Sequence, residues 1–233
     1  MIDWFPIILS IKIATVSTIF AFIFGIFFAY VTTKYAFPGK ALFEAFITLP
    51  LVLPPIVTGF LLLIVIGRNG IVGNFLYRAF DFQLIFTAYA AAIAGTVVAL
   101  PLMYQSAKAA FLSVDKNFEE AALTLGSSEW RVFFTITLPL AIHGIVSGAV
   151  LSFSRALGEF GATIMIAGNI MGKTQTIPLA IYFSAESNDL EIAGIYVLIL
   201  SLSIFIFIFG LNNWKNSKPQ GGCKCLTSIF KKN

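Results

Sequence analysis

The sequence predicts an all-α integral membrane protein with five clear transmembrane helices. Three observations carry that prediction. Of 233 residues, 58% are hydrophobic and 11% charged, against roughly 25% charged in soluble domains. Phenylalanine alone occurs 25 times, and a soluble fold could not hide so much apolar surface. Runs of about twenty residues with little or no charge recur along the chain, the length that crosses the hydrocarbon core as a helix. Lysine and arginine collect in alternate connections between those runs.

The first span is expected over 13–33, with Lys12 at its start, its ammonium reaching back to the headgroups. A short polar connection with the turn pair Pro38-Gly39 follows. The second span, 45–66, contains Pro50, Pro54 and Pro55. Each proline removes a helical donor, so this span is kinked or partly unwound. Irregular backbone at membrane depth is tolerated only against protein or a water-filled cavity. The span is thus either a wall of a pathway or a kinked helix buried in the bundle. A loop from Gly67 to about Gln83 leads to a third span over 84–107, and a polar segment over about 108–131 to a fourth over 132–154. The stretch 155–191 is too polar for one span. Its uncharged pieces, 160–172 and 174–185, suit re-entrant or interfacial segments, and a sixth, short crossing there stays open. The fifth span covers 192–211. These limits give a membrane domain over 1–211 and a basic tail over 212–233.

Charge placement orients the chain. Lys34, Lys40, Lys108, Lys116, Arg131 and the tail lysines 215, 218, 224, 231 and 232 fall on one side. Arg68, Arg78 and Lys173 fall on the other, with Lys12 and Arg155 at most added to them. The first set is cytoplasmic by the positive-inside rule, which puts the N-terminus outside and the C-terminus inside. The net charge of +4 is therefore a topology signal and no sign of nucleic-acid binding. The tail segment 226–232 alternates apolar and basic residues, as a segment lying on anionic membrane lipid would. Cys223-Lys224-Cys225 offers two thiols, a poor metal site, and reads as free reduced thiols. No metal set or cofactor is expected.

The segment 108–131 reads as two short helices. Ser113 or Asp115 caps the first, Glu119 and Glu120 sit early in it, and Gly126 ends it. Ser127 or Ser128 caps the next, which leads into the fourth span. On physical grounds this is a surface helix and a sharp turn that either meets a partner or is an ordinary loop.

The series Glu120-Ala121-Ala122, three residues, Gly126, nine residues, Ile136, one residue, Leu138-Pro139 resembles the cytoplasmic loop of the membrane subunits of binding-protein-dependent ABC importers. The resemblance implies an ABC importer permease fold in a prokaryotic inner membrane. It also implies that Glu120, Ala121, Ala122 and Gly126 contact a separate ATP-binding subunit and pass its movement to the spans. This chain has no Gly-x-x-x-x-Gly-Lys-Ser/Thr run of its own, so ATP hydrolysis is expected on the separate subunit, and the resemblance implies a transporter subunit and no enzyme. The same resemblance implies two copies of the chain with the pathway between them, and an extracytoplasmic oxyanion-binding protein outside.

The stretch Ser154-Arg155-Ala156-Leu157-Gly158-Glu159-Phe160-Gly161-Ala162-Thr163, continued through Ile166–Ile170 to Tyr182, resembles the molybdate permease group. Met171 stands where that group would be expected to have a proline. Sulfate permeases share the Gly-Glu-Phe-Gly core, so molybdate, tungstate and sulfate are all candidate cargoes. Arg155 and Glu159 are four residues apart and can meet on one helix face. They form either an internal ion pair or an attraction point for a passing oxyanion, with Glu159 offsetting the attraction. Gly158 and Gly161 permit close helix approach or a hinge, and Thr163, Asn169, Thr174 and Gln175 can bond oxygens or cap short segments. Arg155, Glu159, Gly161 and Thr163 are the candidate pathway residues.

Two other classes compete. His143 and Ser147 lie four apart, as a Ser–His hydrolase pair could, but no carboxylate is near in sequence to orient the histidine, and a packing pair fits better. Gly144 and Gly148 mark that face for close helix packing. An ATP-independent carrier or channel would lack the docking helix.

Overall fold

The computed structural model describes residues 3–217. It is all helical among those residues: α1 (Phe5–Lys34), α2 (Lys40–Val52), α3 (Pro55–Ile66), α4 (Ile71–Phe80), α5 (Ala88–Leu112), α6 (Lys116–Thr124), α7 (Glu129–Val132), a π-helical turn (Phe133–Thr137), α8 (Leu138–Leu157), α9 (Gly161–Ala167), α10 (Ile177–Glu186) and α11 (Leu190–Ser217). Four helical stretches are long and apolar enough to cross a membrane: Phe5–Lys34, Ala88–Leu112, Glu129–Leu157 and Leu190–Asn213. The pair α2–α3 makes a fifth, broken span, bent by 119°.

α1 starts earlier than expected. Pro6 suits the first turn, where no helical donor is needed, and the Asp3 carboxylate accepts from the Phe5 N–H at 2.9 Å. Lys12 therefore lies inside the helix, on an exposed position, and does not mark its end. The second span breaks where the prolines predict. Leu53 is extended, and Pro54 and Pro55 stand where α3 begins. Its halves differ: in α2 only Ile47 is buried and Val52 is 82% exposed, whereas α3 buries Thr58, Gly59 and Ile66. α4 lies inside the segment expected to be a loop.

The core is α1, α5 and α8. A small-residue seam on α1 (Ala14, Ser17, Ala21, Gly25, Ala29) packs on α5. With no hydrophobic drive between helices in lipid, such close approach supplies dispersion contact instead. The Ser17 hydroxyl donates to the Ala92 carbonyl at 2.8 Å, and Thr32 and Tyr104 hydroxyls pair at 3.1 Å. These contacts advance together along both helices, so α1 and α5 run parallel. α8 runs antiparallel to α5: a Cβ on Gly144 would meet Ala110, one on Gly148 would meet Ser106, and Ser152 donates to the Ala99 carbonyl. The predicted small-residue face of the fourth span is thus used. Ser147 spends its hydroxyl on the His143 carbonyl at 2.6 Å, so the pair is a backbone contact and no nucleophile–base arrangement.

The remaining contacts give each end a population. Lys34, Glu44, Lys108, α6 and α7 share one end, with Lys108 and Glu44 paired at 2.7 Å. Phe5, Ala88, α9 and the start of α11 share the other, where Tyr196 donates to the Asp3 carbonyl at 2.8 Å. α10 lies at that same end, because Ile177 N–H donates to Ser10 Oγ at 2.8 Å. The segment 158–189 therefore leaves and returns at one end, as a re-entrant piece, and the sixth crossing is absent among the described residues. α11 continues past 211 to Ser217. The rest of the tail, with Cys223, Cys225 and 226–232, lies outside the described residues.

Candidate functional site

Two regions carry the predicted residues, one at each end of the bundle. At the lysine-rich end, Asp115 accepts from the Asn117 N–H at 3.0 Å and caps α6. Gly126 takes φ +85°, and Ser127 N–H returns to the Ala122 carbonyl at 3.1 Å, closing a left-handed helix end. Ser128 then caps α7 through the Arg131 N–H. All of this is local in sequence: the left-handed Gly126 was predicted, and each cap is one of the two residues the sequence offered.

No residue of α6 is buried. Lys116, Glu119, Glu120 and Leu123 line a pocket of about 340 Å³ between α6 and the spans. The opposite stripe carries Phe118, 58% exposed, Ala121, Ala122 and Leu125, 87% exposed. Of the predicted contact residues, Ala121 and Ala122 thus lie on the outward stripe, Gly126 at the turn, and Glu120 on the pocket side though solvent-exposed. Phe118 and Leu125 share that stripe and were not among the predicted contact residues. Their signal was the i, i+3, i+4, i+7 spacing 118-121-122-125. Glu119 turns inward and accepts a hydrogen bond from the Thr137 hydroxyl. Behind it an aromatic cluster ties the loop to three spans: Tyr30 meets Phe133 at 4.5 Å, Trp130 at 6.3 Å and Phe111 at 6.4 Å between ring centres.

At the other end, Arg155 Nη1 donates to Glu159 Oε2 at 2.6 Å, and the Ala162 N–H donates to Glu159 Oε1 at 2.8 Å. Both carboxylate oxygens are used, and the carboxylate is 2% exposed while the Arg155 side chain keeps 30%. The predicted ion pair forms, and Glu159 also satisfies a donor at the start of α9. Arg155, Gly158, Glu159, Phe160 and Gly161 line a pocket of about 300 Å³ with Pro54, Pro55 and Ile56. The proline break and the Arg155 motif, predicted separately, are one place. Gly161 is required there, since a Cβ would stand 2.8 Å from Pro55 Cβ. At Gly158 a Cβ would make only an ordinary contact, 3.7 Å from the Ser154 carbonyl oxygen. Thr163 is buried and outside that lining. Thr174 closes the following loop, accepting from the Ile170 N–H at 3.0 Å and donating to the Gly168 carbonyl at 3.2 Å. The Asn169 Oδ1 is buried without a hydrogen-bond partner.

Residues 21–216 match the family described as binding-protein-dependent transport system inner membrane component. The chain belongs to this family. Among other inner membrane components, it is 43% identical over 212 residues to the molybdenum transport system permease protein ModB of Escherichia coli K12, covering 91% of this chain and 93% of that one. It is 42% identical to the putative molybdenum transport system permease protein YvgM of Bacillus subtilis, covering 90% and 92%. The sulfate transport system permease protein CysT of E. coli is 34% identical, covering 85% and 72%. The fold matches the MetNI methionine ABC transporter in an inward-facing conformation (TM-score 0.67, 18% identity, 91% and 94% covered). It also matches a bacterial ABC transporter that imports alginate (TM-score 0.73, 16% identity, 93% and 79% covered). The ABC importer permease fold implied by the resemblance of Glu120–Pro139 is the one found.

Proposed function

We propose that this chain is the membrane-spanning subunit of an ATP-driven molybdate importer, docked through α6 and Gly126 onto a separate ATP-binding subunit. Two copies enclose the pathway and alternate in access, and an extracytoplasmic oxyanion-binding protein delivers the anion. The observation that carries the coupling is the outward stripe of exposed Phe118, Ala121 and Leu125, with half-buried Ala122 beside them, on a helix with no buried residue. A nucleotide-driven partner that contacts this stripe differently in its two states can shift the permease between two states. The lysine-rich end is then cytoplasmic, with the N-terminus outside. Relatives at 41–43% identity that are named for molybdenum transport support the cargo. Arg155, its side chain partly exposed beside a satisfied Glu159, attracts the oxyanion without trapping it.

The test is uptake of labelled molybdate by proteoliposomes holding the chain with its ATP-binding subunit and binding protein. Uptake is expected to need ATP, to be blocked by vanadate, and to be competed by tungstate far better than by sulfate. Equal competition by sulfate would move the cargo to sulfate. Uptake without ATP would replace this reading with a carrier or channel.

A further inference from the structure

We propose that Glu119, through its hydrogen bond to Thr137, is the positioning residue that carries movement of α6 into α8. This rests on the importer reading above. The two adjacent glutamates of α6 differ: Glu120 is solvent-exposed, whereas Glu119 is half-buried and bonded across eighteen residues to Thr137, which is 6% exposed. Among the described residues Glu119 forms no ion pair, although Lys34 and Lys116 line the same pocket. The Thr137 hydroxyl is its partner.

That hydroxyl is used in an uncommon way for this chain. Thr15, Thr96, Thr124 and Thr135 each donate to their own carbonyl four residues back, the usual fate of a helical threonine. Thr137 closes a π-helical turn, in which Leu138 N–H reaches back to the Phe133 carbonyl. Pro139 follows, and its ring would crowd the carbonyl four residues before it. The wider turn accommodates that ring. α6 therefore pulls on the one turn of the fourth span whose hydrogen-bond register is already altered. α6 has little other purchase, since it buries no residue. A charge-assisted bond at the root of that span can transmit a displacement that apolar surface contact would let slip.

The experiment uses the full complex in proteoliposomes and reads molybdate taken up per ATP hydrolysed, together with co-purification of the ATP-binding subunit. Thr137→Val and Glu119→Ala are each expected to lower uptake per ATP roughly tenfold or more, the scale of one lost hydrogen bond to a charged group. The ATP-binding subunit should still co-purify with both. Thr137→Ser keeps the hydroxyl and should restore coupling, and the double variant should be no worse than either single one. Normal uptake per ATP in Thr137→Val, or losses that multiply in the double variant, would overturn the proposal. So would loss of co-purification in Thr137→Val, which would reduce the bond to holding α6 folded. If Thr137→Val fails to reach the membrane, Glu119→Ala decides by the same readouts. A wild-type complex without ATP-dependent uptake would instead sink the importer reading.

Discussion

The two candidate regions satisfy their polar and apolar groups in opposite ways. At the Arg155 end, the Glu159 carboxylate spends both oxygens inside the chain, and α9 lies so close to α3 that glycines are needed on both sides. At the α6 end, the helix ends are capped but its apolar stripe is left in the open. The first region is closely packed within the chain and tolerates little. The second is preformed but leaves its apolar side chains uncovered, as the proposed docking onto a partner requires. Substitutions at the first should therefore lower the stability of the isolated chain, and substitutions at the second should lower assembly or coupling instead.

The largest effect on stability is expected at Gly59. A Cβ there would stand 2.7 Å from the Ala162 Cα, a backbone atom that cannot swing aside. Gly59→Leu should cost about 3 kcal/mol or more, the upper range of overpacking. Little folded protein should elute on size exclusion in detergent. A normal yield with an unchanged melting temperature would show that α3 and α9 are not held as described.

Glu159→Gln comes next. It removes the charge that faces Arg155 but keeps an oxygen for the Ala162 N–H. The expected loss is about 1.5–3 kcal/mol, the worth of a hydrogen bond to a charged group. It should appear as a lower melting temperature with the protein still in the membrane. No change in melting temperature would mean that the pair does not hold this end together.

Gly126→Val sharpens the contrast from the other side. At φ +85° a β-branched residue costs about 1–2 kcal/mol, yet a Cβ there meets nothing within 4 Å. The strain should remain in the α6–α7 turn. The melting temperature should move little while ATP-dependent uptake is lost. Normal uptake would remove α6 as the docking element.

How far each region could be read from sequence follows from the range of its interactions. The caps at Asp115 and Ser128 and the left-handed Gly126 were legible because each satisfies backbone groups two to five residues away. The Pro54-Pro55 break was legible because proline lacks a donor wherever it stands. The Arg155–Glu159 pair was legible as an i, i+4 spacing. Their meeting in one pocket was not, because Pro55 and Gly161 are far apart in the chain and only packing brings them together. Glu119–Thr137 escaped for a similar reason: it needs the π-helical turn, which no local pattern announced. α4 was hidden by Gly70 and Gly73, which weaken a helical reading, and Lys12 hid the true start of α1.

The smallest effect on the isolated chain, and the sharpest division between the regions, is expected from Leu125→Ser. At 87% exposure this side chain buries almost nothing in the chain alone, so stability should stay within about 0.5 kcal/mol of the unaltered protein. If the stripe is covered by an ATP-binding subunit, the same leucine loses most of its exposed apolar area on docking. A buried leucine contributes about 1.5–3 kcal/mol, so its loss should weaken docking by roughly ten- to hundredfold at 1.4 kcal/mol per decade. Titrating the ATP-binding subunit onto the chain in nanodiscs measures this directly. An unchanged dissociation constant beside an unchanged melting temperature would leave Leu125 in solvent in the assembly, and the docked face of α6 would have to be the one that carries Glu120.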